Sequence, residues 1–121
     1  MTKLYLSVNA VLYLALAVWC TLKHQQTSAA SGYLTLNESG HSEYLVVYGG
    51  LQLGLAIFYA YLALRPEYAS LGVIFSVILY APIVLYRVIT VTSHWPVNTV
   101  TLGTGGLELT LLIWALLLLR R

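Results

Sequence analysis

The sequence predicts an all-α fold, an integral membrane four-helix bundle running up-down-up-down with both termini in the cytoplasm. Three observations predict it. Only 8 % of the 121 residues are charged and 60 % are hydrophobic, whereas a soluble domain carries about 25 % charged residues. The mean hydropathy is +0.81. The apolar residues also gather into continuous runs, each near the roughly 20 residues that a helix needs to cross a hydrocarbon core. Six Lys and Arg with four Asp and Glu are too few to coat a water-soluble surface. This excludes a soluble enzyme and a disordered tail. The pI of about 8.8 reflects charges at ends and turns rather than a basic patch, which excludes nucleic-acid binding.

The expected spans are residues 4–22, 44–64, 69–91 and 97–119, together one transmembrane domain over residues 1–121. Backbone polar groups in lipid must be satisfied within the segment, so each run is read as a helix; the alternation of a membrane strand is absent. Span one follows Lys3 and precedes Ser28-Ala29-Ala30. It is longer than the apolar region of a signal peptide, so it is expected to remain as a span. Residues 23–43 read as a polar loop. Arg65-Pro66-Glu67 is a tight turn: Pro66 cannot continue the helix before it and suits the first turn of the next. Residues 92–98, with His94, Trp95 and Pro96, form another short loop. Short connections favour antiparallel neighbours.

Orientation follows from the loop cations. With both termini on one side, that side holds Lys3, Arg65, Arg120 and Arg121, and the other holds Lys23. The first side is therefore cytoplasmic. Trp19 and Trp95 then fall at the outer interface. Cys20 is the only cysteine, so no internal disulfide or multi-cysteine metal site forms.

Within the spans, Ser7, Asn9, Ser76, Thr101, Thr104 and Thr110 read as packing residues that bond a neighbouring helix or a backbone carbonyl. Small-residue steps at Gly50/Gly54, Gly72/Ser76 and Gly106/Thr110 are expected to let helices approach closely, within the bundle or across a dimer face. Ionisable residues stand apart, because a charge deep in a bilayer costs at least roughly 2.5–3.5 kcal/mol. Arg87 and Glu108 lie well inside spans three and four. Their depths differ by roughly 7 Å at 1.5 Å per residue, within reach of an arginine side chain. Glu43 sits at the mouth of span two. Helical stripes suggest that Glu43, Arg87 and Glu108 converge with Tyr80 in reach, and that His41 and His94 overhang them. Two carboxylates face one guanidinium, so either Glu43 faces water or one carboxyl carries a proton. Such a cluster is a register-fixing ion pair or a polar site for a proton, cation or small ligand.

No HExxH, GxSxG or P-loop pattern occurs, and no histidine lies within a span to hold haem. A metal site would have to draw on His41, His94 and glutamates at the outer side, and their spacing does not specify one. No catalytic residue, cofactor or metal is assigned.

The run Glu43-Tyr44 followed by Tyr48-Gly49-Gly50-Leu51-Gln52-Leu53-Gly54-Leu55 resembles a bacterial family of small four-helix membrane proteins of unknown function, broadly similar to DoxX-type proteins. Arg65-Pro66-Glu67, Arg87, Glu108 and Arg120-Arg121 fall where that pattern puts them. The sequence departs after Arg87, where His94-Trp95-Pro96 replaces an Asp-Gly loop. The resemblance implies a four-helix fold in the bacterial inner membrane and no reaction. Small multidrug-resistance transporters share the size, but they carry a glutamate in span one that is absent here.

The expected function is that of a membrane protein without a catalytic motif, an accessory or scaffolding subunit packed through small-residue faces and a buried Arg–Glu pair. The alternative is a small transporter or ligand-binding protein with a polar cavity lined by Glu43, Arg87 and Glu108. The expected partners are the bilayer and either another membrane protein or a second copy; nucleic acid is not among them.

Overall fold

The computed structural model describes all 121 residues and is entirely helical. Its helices are α1 (Thr2–Leu22), α2 (His24–Ala30), α3 (Glu38–Ala63), α4 (Pro66–Ser93) and α5 (Thr99–Leu119). Of these, α1, α3, α4 and α5 are long and apolar enough to cross a membrane, at 21, 26, 28 and 21 residues. At 1.5 Å per residue even the shorter ones reach about 32 Å, enough for a hydrocarbon core.

The structure differs from expectation in the segment after α1. Residues 23–43 are not a continuous loop: they contain α2 and the first turns of α3. The hydroxyls of Thr27 and Ser28 donate to carbonyls three and four residues back, Lys23 and Gln25 among them. Asn37 then caps α3, its side chain accepting from the Gly40 amide at 2.8 Å, which satisfies an otherwise orphan donor. In span three the α-helix proper begins at Ala69, directly after a tight 3₁₀ turn over Pro66–Tyr68. Proline is tolerated there because the first helical N–H has no partner in any case. Pro82 lies inside α4 without ending it.

One turn of α3, Val46–Leu51, is a π turn. It inserts a residue relative to regular α geometry, which advances every following side chain around the helix.

α1 lies chiefly along α3, and α4 chiefly along α5; α1 also touches α4 and α5. The core forms where the start of α1, the end of α3, the middle of α4 and the second half of α5 meet. It comprises Tyr5, Leu6, Tyr59, Leu62, Ala63, Tyr80, Leu111 and Ala115. Only 19 of the 121 residues are buried. The outward faces carry Val11, Leu14, Ile57, Ile78, Leu85 and Leu117, all exposed. Apolar surface of that extent suits lipid and not water.

Candidate functional site

The two charges expected within the spans meet. Arg87 Nε donates to Glu108 Oε2 at 3.0 Å, and Arg87 Nη2 donates to Glu108 Oε1 at 2.7 Å. This is the fork-to-fork geometry of a strong charge-assisted pair. The side chains keep 31 % and 15 % of their exposure, so the pair sits on the flank of α4 and α5 rather than in the core. Gly105 makes the approach possible. A Cβ there would stand 3.1 Å from Arg87 Cγ and 3.3 Å from Cδ, so the bare backbone gives the arginine stem a track along α5. Sequence reasoning missed Gly105. The available signal was its position three residues before Glu108, on the same helical face.

The other members expected beside this pair lie elsewhere. Glu43 is exposed on α3 and makes no ion pair. Tyr80 is 1 % exposed and belongs to a separate network. His94 turns back on its own helix, with Nδ1 3.1 Å from the Thr90 carbonyl.

That network joins α1, α3, α4 and α5 through neutral groups. The Tyr13 hydroxyl donates to the Tyr80 hydroxyl at 2.8 Å, and Tyr80 donates to Asn9 Oδ1. Asn9 Nδ2 donates to the Tyr5 carbonyl, and the Tyr5 hydroxyl donates to the Leu111 carbonyl at 3.0 Å. Alongside, Tyr59 and Ser76 share a hydrogen bond at 2.7 Å, and Ser76 donates to the Gly72 carbonyl. Tyr5, Asn9, Tyr59 and Ser76 are fully buried. Each hydroxyl is thus paired, as burial demands. Tyr80→Phe should lower stability by about 1 kcal/mol, because it leaves Asn9 Oδ1 without its donor. Unfolding in detergent checks this; a Tyr80→Phe protein as stable as the parent would mean that the Tyr80–Asn9 bond contributes nothing.

The small residues divide into two sets. Gly72 and Ser76 are buried, and Gly72 fits beneath Leu6 and Leu62. Gly50, Gly54 and Gly106 have no atom within 4 Å of where a Cβ would stand, and Thr110 donates to the Gly106 carbonyl of its own helix at 2.8 Å. The close approach on α3 falls instead at Gly49, whose Cβ would lie 2.8 Å from Thr21 Oγ1. The π turn accounts for this one-residue shift.

At the end where α1 finishes and α3 starts, α2 closes over the helices. Tyr44 donates to Thr27 Oγ1 at 2.9 Å and stacks on Tyr48 at 4.5 Å, while the Tyr33 and Tyr48 hydroxyls lie 3.2 Å apart. Asn98 Nδ2 donates to the Ala30 carbonyl at 3.0 Å, tying the start of α5 to the end of α2. A groove of about 700 Å³ opens beside this seam, lined by residues of α2 and α3 that include His24, Glu38 and His41.

These features define a class: an all-helical protein with four membrane-capable helices, in which two of them are clamped by an arginine–glutamate fork. The chain belongs to the family described as Domain of unknown function (DUF4345), whose model matches residues 1–119. No curated protein and no solved structure matches the chain.

Proposed function

We propose that the protein is a multi-pass protein of the bacterial inner membrane that acts as an accessory or scaffolding subunit without catalysis of its own. Its helices run up-down-up-down in a four-helix bundle of broadly DoxX-like arrangement, with both termini cytoplasmic. The cation count supports this orientation: Lys3, Arg65, Arg120 and Arg121 mark one end, and exposed Trp19 and Trp95 mark the other.

The observation that carries the subunit reading is the open glycine step of α3. Gly50 and Gly54 face outward with nothing against them, flanked by exposed Leu51, Leu53 and Ile57. In lipid, helices associate by close backbone approach at such steps. The Arg87–Glu108 fork supports the non-catalytic part, since each group's charge is directed at the other. Gly54→Leu should lower association with a second copy or partner chain by roughly tenfold, about 1.4 kcal/mol, as read by crosslinking in native membranes. A parent protein that stays monomeric in lipid nanodiscs and gives no crosslinked partner would defeat the subunit reading.

The second reading is a small transporter or ligand-binding protein. What favours it is the groove beside α2 rather than a cavity at Glu43, Arg87 and Glu108.

A further inference from the structure

The groove beside α2 holds side chains that the subunit reading does not use. α2 brings His24 against α3. Glu38 and His41 stand three residues apart on α3 and share one face of that helix. The His24 and His41 rings meet edge to face with their centres 5.6 Å apart. Nδ1 of each ring is buried and bonded to no protein group. Glu38, Gln25 and Ser42 line the same groove, which ends on Val46 and Gly50 of the π turn. Such turns recur at functional sites.

These features converge on one ligand chemistry. Two imidazoles that bind one ion through nitrogens at about 2.0–2.1 Å place their ring centres roughly 5 Å apart, close to the separation found. Imidazole is a favoured ligand of zinc, copper and nickel ions. Glu38 in the same groove suits a cation and opposes an anionic head group. We infer that His24 and His41, completed by Glu38, bind a divalent transition-metal ion where α2 meets α3. As the side chains stand, no three ligating groups are gathered at coordination distance. Glu38 is exposed and one helical turn from His41, so the proposed site requires its carboxylate to swing toward the two rings, with water completing the coordination. The inference does not depend on how the protein associates in the membrane.

The test uses the full-length, untagged protein in detergent, titrated with Cu²⁺ and with Zn²⁺. A single equivalent of Cu²⁺ should give an electron paramagnetic resonance spectrum with splitting from two imidazole nitrogens, which needs no variant. His24→Ala and His41→Ala should each weaken Zn²⁺ binding by roughly tenfold or more, and Glu38→Gln by a smaller factor. His94→Ala should bind as the parent does. Binding that is unchanged in the His24→Ala/His41→Ala double variant overturns the inference. So does equal loss in His94→Ala, or a copper spectrum showing one nitrogen or none.

Discussion

Glu108→Leu should destabilise the protein by about 3 kcal/mol, at the low end for breaking a buried ion pair because Arg87 retains 31 % of its side-chain exposure. The substitution removes the carboxylate that accepts both of the hydrogen bonds donated by the Arg87 guanidinium. Arg87→Leu should cost less, about 1–3 kcal/mol. A stranded guanidinium stays charged whatever its surroundings. The double variant Arg87→Leu/Glu108→Leu should lose less than the sum of the singles, because neither charge is then left alone. Unfolding of all four proteins in one detergent measures the coupling directly. Strict additivity would show that the fork does not clamp α4 to α5.

The membrane-capable helices were legible because a bilayer sets a length that apolar runs must meet, and α1, α3, α4 and α5 meet it. The Arg87–Glu108 pair was legible for a related reason: few charges lie deep in the spans, and their difference in depth matched the reach of an arginine. Three things hid the rest. The convergence of Glu43 with that pair assumed regular α periodicity, and the π turn at Val46–Leu51 breaks the count between Glu43 and Gly50. The same turn moves the close approach from Gly50 to Gly49. Hydropathy also scores tyrosine as a ring and is silent about its hydroxyl. The Tyr13–Tyr80–Asn9 chain joins residues far apart in sequence on different helices, and no local spacing reveals such a link. α2 was concealed because its polar residues carry no apolar stripe; it is held by its own hydroxyl bonds and by Tyr44 of α3. With α2 hidden, His24 and His41 read as loop residues rather than as neighbours.

Gly72→Ala should destabilise the protein by about 1–3 kcal/mol, although replacing a helical glycine with alanine ordinarily stabilises by roughly 0.5–1 kcal/mol. The reversal of sign comes from packing. A Cβ on Gly72 would stand 2.6 Å from Leu6 Cδ2 and 3.3 Å from Leu62 Cδ1. Leu6 is 0 % exposed and Leu62 is 2 % exposed, so neither can retreat without pushing on Tyr5, Tyr59 and the rest of the core. Gly54→Ala supplies the contrast, since its added methyl meets nothing within 4 Å and should bring the ordinary gain to the detergent-solubilised chain. Thermal unfolding of both variants in dilute detergent reads the difference in sign. Leu6→Ala adds a further check. It removes the atoms that Gly72→Ala would strike, so the two together should cost less than their sum, even though Leu6→Ala alone costs about 2–5 kcal/mol. If Gly72→Ala and Gly54→Ala proved equally stabilising, α1, α3 and α4 would not meet as tightly at this glycine as the structure places them. With the expected signs, five of the glycines fall into two groups by packing: Gly72, Gly49 and Gly105 seat neighbouring side chains of the same molecule, and Gly50 and Gly54 meet nothing within it.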